Sequence, residues 1–393
     1  MLRRLVTRDS VAITGSVIGL FSFLLGWLTL KPSRIVAGTS LNVWEVVGWG
    51  GAVAILVLWL ICLALSLAGR GKLQAIILGT IANLVLIITF VFAGLAASKL
   101  LEGEASFARV SLGAGIWTTL GATYILIFAS RQRLAGSRIL RHLISWAGLA
   151  VLVILLVIGW FGDLSILQEF AGREERFRQE LVQHIILFGS SVAMGTLLGI
   201  LLGIWATRSK RAERPIFFIT NITQTIPSLA LFGLLIAPLS ALSFAYPVLR
   251  EIGIRGVGPA PAIIALVVYS LLPIVRNTYV GLRQIDPAVI DAGFGMGMNR
   301  RQIFRRLEIP LAAPLVLEGV RTASVQSVGL TAVAALIGAG GLGWFIFQGL
   351  GQAATDLILL GALPIIILAL VVDAVMRTVV RLATPKGLMV RGS

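Results

Sequence analysis

Long apolar runs separated by short polar segments set the pattern of this chain. They lie at about residues 11–30, 44–68, 74–97, 107–129 and 142–162, then at about 182–206, 215–243, 260–282, 314–337 and 357–381. A helix needs about 20 apolar residues to cross a bilayer core, so the pattern predicts an all-α integral membrane protein with about ten transmembrane helices. Between the fifth and sixth runs the sequence turns polar, from Gly172 through Arg173, Glu174, Glu175, Arg176 and Arg178 to Glu180. That break predicts a membrane module over 1–170, a second over 171–385, and a short tail over 386–393. Arg3, Arg4 and Arg8 precede the first run as they would in a signal peptide, but the stretch from Val11 to Leu30 is too long for a signal core. It has no clear small-residue cleavage site and reads as a retained first helix. No function is read into the closing Arg391, Gly392 and Ser393.

Composition sharpens the picture. Of 393 residues 58% are hydrophobic and 13% charged, against about half and one quarter in a soluble domain. Lys and Arg number 33 against 17 acidic residues, a net charge of +16. Their placement points to topology and excludes nucleic-acid binding as the reason for the charge. With the N-terminus in the cytoplasm, the cytoplasmic segments hold Arg70 and Lys72, then Arg131, Arg133, Arg138 and Arg141, then Arg208, Lys210, Arg211 and Arg214, then Arg283 through Arg306, then Arg381 and Lys386. Lys31, Arg34, Arg250 and Arg255 fall outside in this scheme, so the bias holds in bulk. Both termini are then cytoplasmic. Cys62 is the one cysteine, and His142 and His184 are far apart, which leaves no disulfide framework and no metal-ligand spacing. No nucleophile has an adjacent base and no carboxylates pair, so an enzyme is not expected.

The stretch with the most polar chemistry runs from Gly281 to Pro310. Pro287 suits the first turn of a helix, Gly297 a turn with positive φ, and Arg300 to Arg306 a short basic helix limited by Pro310. Helix, glycine break, helix describes a cytoplasmic knob over 283–312.

This knob resembles the coupling loop of ATP-binding-cassette (ABC) importer permeases, whose pattern is Glu-Ala-Ala, three residues, Gly, nine residues, then Ile-x-Leu-Pro. Asp291, Ala292 and Gly293 stand at the triplet, Gly297 at the glycine, and Leu307, Ile309 and Pro310 at the end. Asp for Glu and Gly293 for Ala are departures, and Gly293 is expected to loosen the first helix. Asn221 to Ala230 with Gln224, Thr225, Pro227 and Ser228, Tyr269 to Thr278 with Pro273, Arg276 and Asn277, and Leu336 to Gly343 look like the permeases of glycine betaine/carnitine/choline importers. The likeness covers about 180–385. It implies a type I ABC permease core, preceded by about five extra helices of unknown role, in a bacterial inner membrane. It also implies a cytoplasmic ATPase dimer that holds ATP and magnesium, an external binding protein, a second permease chain, identical or paralogous, and a small osmoprotectant solute. The sequence agrees in lacking a Gly-x-x-x-x-Gly-Lys-Ser/Thr phosphate loop, Gly69 to Lys72 having neither the spacing nor the hydroxyl. No cofactor is expected on this chain. The rival classes are an ion-driven secondary transporter, and an ABC permease for another small solute.

Candidate pathway and gate residues follow from the backbone rules of membranes. Pro227, beside Gln224, Thr225 and Ser228, frees a carbonyl at membrane depth, which is tolerated only where protein or a wet cavity covers it. Pro273, one turn after Tyr269 and one before Asn277, does the same in the next run. Gly338, Gly340, Gly341 and Gly343 suit a re-entrant turn or a gate. Gly195, Gly199 and Gly203 recur on one helix face and predict close helix packing. Glu318 with Arg321 and Asp373 with Arg377 read as structural pairs. Tyr269, Phe244, Tyr246 and Trp344 are aromatic candidates for a quaternary ammonium solute.

Overall fold

The computed structural model describes residues 9–34, 36–69, 71–134 and 136–385. Arg3, Arg4, Arg8, Arg70 and the tail 386–393 lie outside the described residues. The chain divides into two compact units, Met1–Gly172 and Arg173–Ser393.

The first unit opens with helix α1 (Ser10–Phe21), capped by the Asp9 carboxylate, which accepts from the Ala12 amide at 3.1 Å. The apolar run expected to cross as one helix to Leu30 instead turns at Ser22–Leu24 and becomes strand β1 (Leu28–Lys31). β1 pairs antiparallel with β2 (Thr39–Leu41) and with β3 (Arg109–Leu112), in the order β2-β1-β3. The physical reason is local. A Cβ on Gly26 would lie 1.8 Å from Ser40 Oγ, and one on Gly113 2.3 Å from the Gly26 carbonyl oxygen, so these glycines let the segments meet where a helix would separate them. The sheet then satisfies the backbone groups that the shortened helices release.

Four further helices complete the body of this unit: α2 (Val43–Ala68), α3 (Lys72–Leu101), α4 (Ala114–Arg133) and α5 (Arg138–Val157), followed by the short α6 (Ser165–Ala171). Trp27, Trp59, Leu78, Ile116 and Leu126 fill their common core. Buried Asn83 of α3 donates to the Ile144 carbonyl at 3.0 Å and accepts from the Gly148 amide at 2.7 Å, tying α3 to α5. Half-buried Arg133, at the end of α4, pairs with Asp9 and donates to the Gly69 carbonyl at 3.3 Å, joining three helix ends.

The second unit contains helices and no strand among its described residues. Helix α7 (Glu174–Arg208) is 35 residues long. The run expected as one span over 215–243 is two helices, amphipathic α8 (Lys210–Thr225) and α9 (Ser228–Ala245), because Pro227 cannot donate and Ile226 and Pro227 adopt extended backbone with ψ of 127° and 138°. The short α10 (Pro247–Glu251) leads to α11 (Pro259–Arg283). Then come α12 (Pro287–Gly295), α13 (Arg300–Ile303), one turn of π-helix over Phe304–Glu308, and α14 (Ile309–Thr331). A 3-10 turn over Val333–Ile337 precedes α15 (Gly343–Gly351) and α16 (Thr355–Ala383).

Among the described residues seven helices are long and apolar enough to cross a membrane: α2, α3, α5, α7, α9, α11 and α16. The expected ten is therefore not reached by this measure. The first run ends in a strand, the fourth begins with one, the ninth ends in a 3-10 turn, and the seventh is split at Pro227. The glycine stripe on α7 does pack closely. A Cβ on Gly195 would lie 1.8 Å from Ser270 Oγ, on Gly199 2.8 Å from Ile274 Cγ2, and on Gly203 2.5 Å from Thr278 Cβ, so α7 and α11 approach with almost nothing between their backbones.

Candidate functional site

The knob between α11 and α14 is a helical hairpin. Pro287 opens α12 with its fixed φ, and the Asp286 carboxylate caps it by accepting from the Ala288 amide at 2.9 Å. The helix closes on Gly297, whose φ of +78° is the left-handed conformation expected of it. The Met298 amide returns to the Gly293 carbonyl at 3.1 Å, the six-to-one bond of a Schellman end. Asn299 then starts α13 through a reciprocal cap with Gln302, at 2.9 and 2.8 Å.

Asp291 and Ala292 lie on the exposed side of α12, and Gly293 is buried. A Cβ there would stand 2.8 Å from Leu307 Cδ1, so Gly293 brings the two arms of the hairpin together where it was expected to loosen the first. Pro310 does not end the second arm. The Ile309 amide reaches back to the Phe304 carbonyl in a π turn, and Pro310 follows in the first turn of α14, where its missing N–H is harmless. Ile309 and Pro310 are exposed, while Leu307 is half-buried.

The two proline breaks are stitched to each other. Pro273 cannot donate to the carbonyl four residues before it, that of Tyr269, and Gln224 Nε2 supplies the missing donor at 2.6 Å. Tyr269 in turn donates its hydroxyl to the Ile226 carbonyl beside Pro227. Gln326 of α14 donates to Gln224 Oε1 at 3.4 Å, a long contact that adds a third helix. Asn277 donates to the Pro273 carbonyl at 2.7 Å. Gln224 and Ser228 are half-buried, and Thr225 and Pro227 exposed. Arg276 is exposed on the same helix as Asn277.

The glycine turn is a separate structure. Gly338, Gly340 and Gly341 have φ of +75°, +77° and +90°, which only glycine adopts without strain. Gly343 has no room for a Cβ, which would sit 1.9 Å from the Ala332 carbonyl oxygen. Helix α7 holds this turn. Glu180 accepts from the Gly341 amide at 2.6 Å, Gln183 donates to the Ala339 carbonyl at 3.1 Å, and His184 Nδ1 accepts from the Leu342 amide at 3.3 Å. His184 Nε2 faces the Val328 carbonyl at 3.0 Å, so its partners select the tautomer protonated there. Arg176 pairs with Glu180 at 2.6 Å and lies 4.6 Å from the Trp344 ring centre.

Sequence reasoning set His184 aside and missed Glu180, Gln183 and Gln326. Position 184 carries a signal in hindsight, since Glu180 and His184 stand one turn apart in line with the glycine stripe. The two charge pairs prove to be one cluster. Arg321 contacts Glu318 at 3.0 Å and Asp373 at 2.6 Å, and Asp373 also pairs with Arg377, which binds α14 to α16. Of the aromatic candidates, Phe244 carries Arg250 over its ring at 4.7 Å, Trp344 carries Arg176, the Tyr269 hydroxyl donates to the Ile226 carbonyl, and Tyr246 is exposed.

Residues 195–386 match the family described as binding-protein-dependent transport system inner membrane component. Residues 7–167 match the family described as ABC transporter permease YehY, N-terminal domain. The choline transport system permease protein OpuBB of Bacillus subtilis is 40% identical over 206 residues, covering 52% of this chain and 88% of that protein. The chain belongs to the binding-protein-dependent permease family. A second relative, the osmoprotectant import permease protein OsmW of Salmonella typhimurium, is 39% identical over 52% of this chain and 91% of its own length. A solved inward-facing structure of the MetNI methionine ABC transporter is 22% identical over 54% of this chain and 98% of its own, with a TM-score of 0.47. As an ABC importer permease, the protein is a multi-pass transport subunit and not an enzyme. Permeases of this family work with an ATPase, a binding protein and a second permease.

The stitched breaks give a prediction for this permease. Gln224→Leu leaves the Tyr269 carbonyl without its donor, which costs about 1–3 kcal/mol at a desolvated site. The expected result is a fall in the maximal rate of uptake of about tenfold, with the amount of chain in the membrane unchanged. Unchanged uptake by Gln224→Leu contradicts a pathway role for this cluster.

Proposed function

We propose that this permease carries glycine betaine or a related osmoprotectant, such as choline or carnitine, into the cell at the expense of ATP hydrolysed by a partner chain. The single observation that carries the reading is the hairpin over 283–312, with Asp291, Ala292, Gly293, Gly297, Leu307, Ile309 and Pro310 at the positions of a coupling loop and its outer side exposed. The names of the relatives support the solute class: choline for one, osmoprotectants for another. In this reading ATP and magnesium sit in a cytoplasmic ATPase dimer that grips the hairpin, and this chain binds no cofactor. An external binding protein delivers the solute, and a second permease chain completes the path.

Both termini lie in the cytoplasm of the inner membrane by the charge bias. Gln224, Thr225, Pro227, Ser228, Tyr269, Pro273 and Asn277 line the path, and Gly338, Gly340, Gly341 and Gly343 form its gate. The module over 1–170 is an addition to the transport core at 171–385. ATPase closure rocks the hairpin and turns the path from outward to inward access.

The solute is tested by uptake of labelled glycine betaine into osmotically stressed cells that lack other betaine carriers and express the complete importer. Uptake competed by excess choline or carnitine supports the reading. Absent uptake alongside solute-stimulated ATPase activity with a different compound overturns the solute and keeps the pump.

A further inference from the structure

Helix α7 is about 52 Å long at 1.5 Å per residue, against a hydrocarbon core of about 30 Å. Its buried residues form one stripe with steps of three or four: Glu180, His184, Leu187, Ser191, Gly195, Gly199, Gly203 and Ala206. The stripe begins at the glycine turn, which Glu180, Gln183 and His184 hold by three hydrogen bonds. Its middle is locked to α11 through the three glycines. Beyond its far end, Arg208 pairs with Glu308 and stands 5.5 Å from the Phe304 ring centre. Phe304 and Glu308 are the two ends of the π turn that joins the hairpin to α14. A π turn holds one residue more than an α turn, and helices kink at such turns, so the hairpin is anchored to α7 at the turn that joins it to α14.

We propose that Arg208 is a positioning residue for energy coupling: through Glu308 and Phe304 it delivers movement of the hairpin to α7, which carries it as a rigid strut to the glycine turn. The proposal rests on the coupling role assigned above to the hairpin. Coupling between distant sites needs a physical element that both ends bias, and one unbroken helix clamped at turn, middle and hairpin is such an element. Arg208 is half exposed and Glu308 13% exposed. Water screens the Arg208 end of the pair, which limits what it adds to stability, whereas Glu308 is largely covered, so the variants are compared at equal amounts of assembled importer.

The test uses the complete importer, with its ATPase and binding protein, in proteoliposomes. The variants are Arg208→Glu, Glu308→Arg, the double swap, Arg208→Lys, and Gly297→Asp as the hairpin reference. Two quantities are read: ATP hydrolysed per solute imported, and nucleotide-dependent labelling of Leu336→Cys by a membrane-impermeant maleimide. Leu336 is 47% exposed beside the turn, and Cys62 is fully buried. Each single reversal is expected to raise ATP per solute by about tenfold, within the usual range of coupling between sites, and to abolish the nucleotide-dependent change in labelling.

The double swap and Arg208→Lys restore both. Glu308→Gln keeps the side-chain shape, and covers the case in which a reversed charge blocks assembly; it too raises the ratio. Wild-type ratio and labelling in Arg208→Glu and Glu308→Gln, with both lost in Gly297→Asp, overturn the strut and leave the coupling loop standing. Wild-type behaviour in all of them, Gly297→Asp included, overturns the coupling-loop reading itself. A double swap that restores neither quantity overturns the pairing.

Discussion

Gly297→Asp is expected to leave the permease in the membrane at normal amount and to lower ATP-driven uptake by at least about tenfold. Gly297 has φ of +78° and ends α12 with a Schellman bond. A side chain in this left-handed conformation costs about 1–2 kcal/mol, and aspartate is among the residues that bear it best. Nothing lies within 4 Å of where its Cβ would be, so no clash within the chain adds to that cost. Folding survives. What changes is the outer surface between the hairpin arms, where a carboxylate now stands in a segment otherwise rich in arginine. A partner seated there must strip water from that carboxylate, and that is costly. Gly297→Ala carries similar strain without the charge and is expected to keep most of the activity. Equal loss in both variants shifts the cause from charge at the docking surface to backbone strain.

Gly199→Leu is expected to act in the opposite way, on the fold before the function. A Cβ at Gly199 would lie 2.8 Å from Ile274 Cγ2 and 2.9 Å from Ile274 Cβ, on a helix face whose two neighbouring glycines are tighter still. There is no flexible side-chain end to give way, so α7 and α11 must separate. Overpacking of this kind costs about 1–3 kcal/mol or more. Thermal stability of the purified chain is expected to fall by about 3 to 10 °C. Gly189→Leu on the same helix is the control, because nothing lies within 4 Å of its Cβ position. Equal stability of the two leucine variants contradicts the close crossing.

The parts of this molecule that the sequence exposes are those governed by local rules. Pro287 and Gly297 mark the start and end of α12 because a fixed φ and a positive φ each have one natural place in a helix. Gly195, Gly199 and Gly203 announce a close crossing because a four-residue period keeps three residues without side chains on one face. The departures arise where distant segments decide. Leu28 to Lys31 are apolar enough for a membrane helix, yet they form β1 because Thr39 to Leu41 and Arg109 to Leu112 offer backbone partners. Pro227 was legible as a kink, but the full separation of α8 from α9 depends on Tyr269 holding the Ile226 carbonyl from another helix.

The hydrogen bonds at the candidate site were hidden for the same reason. Gln224 and Tyr269 were both singled out by their proximity to prolines, but the donor that replaces the one lost at Pro273 comes from 45 residues away. In the sequence Glu180 belongs to the polar break between the modules, and His184 is one of two histidines far apart. Their partners, Gly341 and Leu342, lie 161 and 158 residues further along the chain. Gly293 was read through helix propensity alone, whereas its burial against Leu307 answers to the other arm of the hairpin.

The central claim is that this permease is driven by ATP through its hairpin. The most direct measurement is uptake of labelled glycine betaine into proteoliposomes that hold the chain with its ATPase and binding protein, with internal ATP present and all ion gradients collapsed. The account predicts accumulation that requires ATP and persists without any gradient. Uptake that follows an imposed ion gradient and ignores ATP would contradict it.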